Sequence, residues 1–455
     1  MNVTANARRA RLEPSSGFIY GWLLLCIFVE YARPASFFPF LNIPSIYSIL
    51  PLMLFVVSLF APGLRSAKDA LSDKQVKWIF GLLGVVFVSF IIFRAYAIDV
   101  FTSVLGYVLL FTVIARVCTT WKRIRGVVKM LIFAHVFLLA MNPQVLLDPS
   151  IRQYIKGATF LGDGNDFGLS ICLLFPLGIW LAQTSPSKFG KFLNYATLVL
   201  LLYAIIASQS RGATLGIGAM FFFLWLFSKR KAVGAVLMVF VAVGVIALAP
   251  SAYSSRMSTM TSASDGSAQG RIDAWKAGIG MGAKNPLIGV GAGHFGPRWG
   301  KTAHSTYVLA FGELGLPGFL CVIAIVIGNA RSTINLRKRI LAAHPPEPAP
   351  AKAAKSSGIR NKSEEAPRAE TREEWIMRAL LYSAGAMIGF GVAGAFLSAT
   401  YYPHLYVLTG IMIATRALAS QETGVAVDAV KSAMRRANRP GTQPVPSGPN
   451  DARTP

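Results

Sequence analysis

Basic and imidazole side chains stand where chemistry needs them. Arg211 lies in Ser208-Gln209-Ser210-Arg211-Gly212-Ala213-Thr214-Leu215, between two apolar runs and at the predicted start of a helix. A helix N-terminus is already partly positive, so a guanidinium there fits an anion that meets both the side chain and the free N–H groups. Snorkelling to lipid headgroups is the plainer alternative. His304-Ser305 opens another apolar run, ahead of Thr306, Tyr307 and Glu313-Leu314-Gly315-Leu316-Pro317-Gly318. Imidazole is the commonest general base near neutral pH; the bland reading makes Ser305 or Thr306 a helix cap and His304 incidental. Between these points, residues 251–305 carry Arg256, Arg271, Lys276, Lys284, Arg298 and Lys301 against Asp265 and Asp273. Such an excess suits a phosphate or diphosphate, which the planar fork of Arg binds through two parallel hydrogen bonds. Solvated surface charge is the alternative.

Other polar groups are less specific. Asp163, Asn165 and Asp166 precede an apolar run and suit either sugar hydroxyls or a turn and helix cap. His135, His344 and His404 read as structural or solvated, with His294 open. Gly291-Ala292-Gly293-His294-Phe295-Gly296 spells G-x-G-x-x-G, but no strand precedes it, so it reads as a tightly turned or flexible stretch near a substrate and not as a dinucleotide fingerprint. Cys26, Cys118, Cys172 and Cys321 lie in or beside apolar runs with no paired spacing, which indicates neither a disulfide framework nor a zinc site.

The elements that must hold these residues are membrane helices. Of the 455 residues, 54% are apolar or aromatic and only 14% charged, against about 25% charged in soluble domains; mean hydropathy is +0.51. A soluble chain is excluded, and runs such as Phe221-Phe222-Phe223-Leu224-Trp225-Leu226-Phe227, apolar on every face, exclude a barrel. The class is therefore all-α and polytopic. About twelve spans are expected, over 17–32, 44–61, 78–93, 99–117, 126–141, 166–184, 191–208, 212–228, 232–250, 306–328, 376–398 and 402–418, with a large loop at 251–305 between the ninth and tenth. An even count puts both termini on one side. With the N-terminus inside, Lys and Arg favour the cytoplasmic segments by roughly three to one, as the positive-inside trend requires. The net charge of +25 then needs no nucleic acid to explain it. No cleavable signal is expected, because the first apolar run continues into Glu30-Tyr31-Ala32-Arg33-Pro34. Residues 329–374 and 419–455, rich in Ala, Pro, Ser and charge, are expected to be a disordered cytoplasmic linker and tail.

Taken together, these residues resemble the bacterial O-antigen ligase and polymerase superfamily, membrane glycosyltransferases acting on undecaprenyl-diphosphate-linked glycans at the periplasmic face. Arg211 through Leu215 matches the ligase branch's R-x-x-x-L. His304-Ser305, nine residues and Gly315-Leu316-Pro317-Gly318 match H-[NSQ]-x9-G-x-x-G. Arg271 to Trp275 and Asn285-Pro286-Leu287-Ile288-Gly289-Val290-Gly291 are similar to R-x-x-x-W and N-P-x-x-G-x-G. An R-x15-G polymerase motif is absent at Arg211 and Arg271, where Phe227 and Leu287 stand sixteen positions on.

The resemblance implies a metal-independent, cofactor-free inverting transfer in the bacterial inner membrane, with the active site facing the periplasm. Arg211 and Arg271 would neutralise the diphosphate, and His304 would take the proton of the acceptor hydroxyl. Arg94, Asp166, Ser305, Tyr307, Glu313 and His294 are expected to contact substrate. The acceptor is open: lipid A-core, growing polysaccharide or protein. A polysaccharide polymerase is the alternative within the superfamily. A transporter or flippase is the rival from another class, disfavoured because acidic residues are nearly absent from the middle of the spans.

Overall fold

The computed structural model describes residues 14–43, 45–148, 154–157, 160–228, 231–248, 266–345 and 371–427. Among them no strand occurs, and each of the twelve expected apolar segments is a helix. In chain order the long helices are α1 (Pro14–Ala32), α2 (Ile46–Phe60), α3 (Val76–Phe93), α4 (Ala97–Val117), α5 (Trp121–Met141), α6 (Gly164–Gln183), α7 (Lys188–Ala207), α8 (Arg211–Leu226), α9 (Lys231–Leu248), α10 (Gly266–Lys284), α11 (Thr306–Ala343), α12 (Arg372–Gly394) and α13 (Pro403–Thr423). Seven of these, α3 to α7 with α11 and α12, are long and apolar enough to cross a bilayer, and α1, α2 and α8 are shorter apolar helices. The chain is a multi-pass membrane protein.

Local chemistry sets many of the boundaries. Thr120, Asp163, Ser187, Ser210 and Ser305 each accept a hydrogen bond from a backbone N–H in the first turn that follows. Thr371 and Glu374 form a reciprocal capping box at the start of α12. These caps satisfy donors that have no partner within the helix.

α6 runs through the centre of the bundle, while α3 and α7 leave most of their surface facing outward. Small residues permit the closest approaches. A Cβ on Gly216 of α8 would stand 2.7 Å from Cβ of Ala393 and 2.9 Å from the carbonyl oxygen of Gly389, both on α12. Close backbone approach through small residues is how helices associate where no hydrophobic drive separates them from lipid.

Two boundaries differ from the sequence reading. α11 continues to Ala343, well past the expected end at 328, because its extension buries Asn329, Ser332, Thr333, Leu336 and Ile340. Gln75 donates to Ser332 and Asn329 to Thr409, so this stretch is packed helix and not linker. Within 251–305, expected as a large loop, α10 occupies 266–284. Gly278 and Gly282 bring it against Val308 and Phe311 of α11. The remainder of the expected linker from 346 to 370, the tail from 428, and Arg256 and Asp265 lie outside the described residues.

Candidate functional site

The site is assembled at one end of the bundle around the connection from Ala395 to Tyr402. On one side lies α8. Arg211 is its first residue, and Ser210, fully buried, caps it by accepting from Ala213 N–H at 3.2 Å. The preceding turn is tight, with Gln209 in the left-handed region at φ 51°. Gly212, next to Arg211, faces Phe396 and Leu397; a Cβ added there would meet Cβ of Phe396 at 3.0 Å.

α11 meets the same connection. His304, at φ 49°, turns the chain so that Ser305 caps the helix, accepting from Val308 N–H at 3.3 Å. Thr306 then fastens the helix start by three bonds: its hydroxyl donates to Leu397 C=O at 2.6 Å and accepts from Ala399 N–H at 3.0 Å, and its carbonyl accepts from Thr400 at 2.8 Å. Tyr307 donates to Gly391 C=O at 2.7 Å. The cap is thus Ser305, and the half-buried His304 lies just outside it.

α10, which carries Arg271, reaches the connection through Trp275. Trp275, four residues on and therefore on the same helix face, packs its ring 6.2 Å from that of Phe396. Its indole N–H is buried without a hydrogen-bond partner among the described residues. Arg211 on α8, Arg271 on α10 and His304 just before α11 thus have neighbouring residues that converge on Phe396 and Leu397.

Of Asp163, Asn165 and Asp166 at the start of α6, Asp163 is the cap, accepting from Asn165 N–H at 2.7 Å, and Asn165 is buried. Asp166 accepts from the hydroxyl of Tyr402 at 3.3 Å, which brings the start of α6 to the same connection.

Glu313 has a different setting. Only 2% exposed, its carboxylate accepts from Gly293 N–H at 2.8 Å, Phe295 N–H at 2.7 Å and the Tyr401 hydroxyl at 2.8 Å. It fixes the glycine-rich turn to the Tyr401 corner. Burial, then the neighbouring Glu313 charge, push the Tyr401 phenol well above its ordinary range, so it stays a proton donor. The turn is stitched elsewhere too. Val290 and Gly291 donate to Gly312 and Glu313 C=O, both at 2.9 Å, and Leu316 donates to Pro286 C=O at 2.7 Å. These bonds use backbone groups released where α11 breaks at Gly315, whose φ of 66° and ψ of −162° are not helical. The N-P-x-x-G-x-G and G-x-x-G stretches are therefore two halves of one structural joint.

His294 sits in that turn, its ring between Phe93 at 5.6 Å and Tyr96 at 5.4 Å, with Nδ1 2.9 Å from Ala292 C=O. Arg94, exposed at the end of α3 with φ 52°, belongs to the same corner, next to Phe93 and two residues before Tyr96. It approaches the site along the glycine turn and not along the 395–402 connection. His135 bonds Ser170 at 2.6 Å and His404 bonds Tyr31 at 3.2 Å, both in the core. His344 lies 3.2 Å from Thr423 C=O at the far end. Among the described residues no three His, Cys, Asp or Glu side chains gather as a metal site would need.

Tyr401, Tyr402 and Phe396 escaped the sequence reading. They lie far along the chain from every motif, and the doublet Tyr401-Tyr402 ahead of Pro403 was the only local hint. The family model described as O-antigen ligase matches residues 196–323, a stretch that contains Arg211, Arg271, His304 and Glu313 and excludes these three. No curated protein matches the chain.

Proposed function

We propose, from the O-antigen ligase match over residues 196–323, that the chain is a membrane glycosyltransferase moving a glycan from an undecaprenyl-diphosphate donor to an acceptor hydroxyl at the periplasmic face of the bacterial inner membrane. The match supports an O-antigen ligase or polymerase type of enzyme. The observation that carries the finer reading is the meeting of the Arg211, Arg271 and His304 segments on Phe396 and Leu397.

In this reading Arg211 and Arg271 hold the diphosphate, and their preorganised charge stabilises it as it leaves. The acceptor oxygen forms a bond to the anomeric carbon as the bond from that carbon to the diphosphate oxygen breaks, which inverts the centre. The acceptor proton passes to His304. Trp275 supplies a buried donor at the same corner, and Asp166, oriented by Tyr402, an acceptor for sugar hydroxyls. Glu313 and His294 act by fixing the glycine turn, and Ser305 and Tyr307 by fixing the start of α11. The donor sugar is lipid-linked, and lipid A-core, a growing polysaccharide or a protein supplies the acceptor.

The test is transfer in proteoliposomes holding the purified chain, an undecaprenyl-diphosphate oligosaccharide and lipid A-core or a matching oligosaccharide as acceptor. Wild type should form the glycosidic product and Arg211→Ala should not, while remaining folded and inserted. Arg211→Lys should recover only part of the rate, because an ammonium lacks the two-pronged fork. Elongated donor without lipid A-core product would identify a polymerase. Donor crossing the bilayer with no new glycosidic bond would identify a flippase and overturn the proposal, as would full activity in Arg211→Ala.

A further inference from the structure

A second polar recess opens at the same end of the bundle, outside the cluster around Phe396. It is a cavity of about 140 Å³ between α1, α2 and α4, many times the roughly 10–15 Å³ that one water requires. Glu30 and Arg33 line it from the end of α1, Tyr47 from α2, and Thr102, Ser103 and Tyr107 from α4. Pro51 and Leu110 add apolar surface.

Glu30 is 5% exposed, and its Oε1 accepts from Arg33 at 2.9 Å and from the Tyr107 hydroxyl at 3.2 Å. Among the described residues no hydrogen bond reaches its Oε2. Arg33 is held by Glu30 and by the Tyr47 ring, 3.8 Å from guanidinium carbon to centroid, and its Nη1 likewise makes no hydrogen bond among the described residues. Neither atom is among the fully enclosed polar atoms that lack a partner, so each keeps accessible surface through which a ligand could bond. Both vacant groups belong to residues lining the cavity, and each complements the other's charge. At Gly106, a further lining residue of α4, an added Cβ would meet nothing within 4 Å, so the helix itself is notched here.

Vacant acceptor and donor sites, hydroxyls and an apolar patch, with no net charge, suit an uncharged polyhydroxyl ring. A phosphate would meet the Glu30 carboxylate, and a lone cation would meet Arg33. We infer that the notch between α1, α2 and α4 binds an uncharged sugar ring, at a site separate from the Arg211 and His304 cluster. The two are linked through α13: Tyr31, beside Glu30, lies within hydrogen-bond distance of His404, the Tyr107 ring packs 5.8 Å from that of Tyr406, and Tyr402 bonds Asp166. A glycan extending from the reacting sugar, or the acceptor saccharide, would supply the ring. That assignment of source rests on the proposed transfer, whereas the binding itself does not.

The experiment uses the full chain in nanodiscs and saturation-transfer NMR with the methyl glycosides of glucose, galactose, mannose and N-acetylglucosamine. Wild type should transfer saturation to ring protons of one or more of these. Gly106→Leu fills the notch and should weaken the signal at least about tenfold, as should Glu30→Gln, which removes a charged acceptor. Arg211→Ala should leave it unchanged. Gly106→Leu replaces a glycine inside a helix with a better helix former, so its folding serves as the control for Glu30→Gln. No signal from any glycoside in wild type, an undiminished signal in Gly106→Leu, or a phospholipid retained by wild type and lost in Gly106→Leu would each overturn the inference. In the transfer assay, Gly106→Leu should raise one KM about tenfold with kcat unchanged. A raised donor KM identifies the donor glycan as the source, and a raised acceptor KM the acceptor saccharide; if both KM values stay put, the notch has no part in the reaction. A chain that binds the glycoside yet transfers nothing would sink the proposed function and leave the sugar site standing.

Discussion

Arg211 and His304 each sit beside a buried serine that caps a helix, Ser210 and Ser305. The cap fixes the backbone, so the neighbouring charged or titratable side chain leaves a defined point at the bundle end. At His304 the left-handed φ of 49° separates the two tasks: Ser305 satisfies the helix and the imidazole does not have to. A cap role for His304 is thereby unnecessary, and the proposed base role makes a sharp prediction. His304→Ala should lower turnover by about 10²–10⁴, the usual worth of general acid–base catalysis, with donor binding unchanged. His304→Gln should not restore the rate, since an amide does not take up a proton near neutral pH. Product formation and donor binding measured on the same preparations check this, and normal turnover in His304→Gln would remove the histidine from proton transfer.

The breaks in the helices matter as much as the helices. At Gly315 the ψ of −162° with positive φ is a conformation few side chains tolerate, and an added Cβ would meet Pro286 C=O at 2.5 Å. Gly315→Ala should therefore cost on the order of 1–3 kcal/mol from backbone conformation alone, read as a lower thermal midpoint, with activity falling as the 285–295 turn loosens. At the opposite end, Arg416 of α13 is fully buried and joins Asp73, just before α3, at 2.9 Å, with Thr333 and Asn329 of α11 at 3.0 and 3.1 Å. Burial alone would raise the Asp73 carboxyl, but Arg416, the Gln75 N–H and the Lys74 charge together hold the group below its ordinary range. A depressed carboxylate contributes stability that is complete above the unfolded value of about 3.9 and lost as pH falls through the folded value. Asp73→Asn should thus destabilise the chain by roughly 3–5 kcal/mol at pH 7, since it leaves a buried guanidinium unmatched. The gap from wild type should close only below about pH 4, and a gap already closing between pH 7 and 5 would assign the dependence to another group. The apolar runs made twelve of the thirteen long helices legible, because lipid contact leaves a continuous signal. Their ends and α10 were not. Hydropathy reports the surface turned to lipid, and the stretch from Asn329 to Ile340 buries polar residues against protein, while α10 uses glycines to approach α11. The motif residues were legible as residue types at fixed spacing. Their common meeting point was not, because Phe396, Tyr401 and Tyr402 are related to them only in space.

Over the whole molecule the two ends differ in kind. One end gathers the start of α6, α8, α11 and α13 around Phe396, Leu397 and Tyr402. The other carries Trp121, Trp180 and Trp375 in mutual ring contact, with Arg372 over Trp375 at 4.6 Å and bonded to Glu422 at 2.9 Å. It also holds Arg123 bonded to Ser16 at 3.0 Å and Arg125 to Thr184 at 2.9 Å. Tryptophan with arginine is the composition of a membrane–water interface, and an excess of arginine and lysine marks the cytoplasmic one. The tryptophan end is the one where α1, α5 and α12 begin and α6 and α13 finish, and the proposed function requires this end to be the cytoplasmic one. In that orientation the Arg211 and His304 end would face the periplasm. The basic residues of α10 run against the positive-inside trend there, which is consistent with a diphosphate partner. In a cysteine-free background, a membrane-impermeant thiol reagent applied to intact spheroplasts should label Ser264→Cys and leave Ser356→Cys untouched, with both labelled once the membrane is permeabilised. Labelling of Ser356→Cys alone from outside would invert the orientation. The cluster would then face the cytoplasm, on the opposite side from a periplasmic glycan donor.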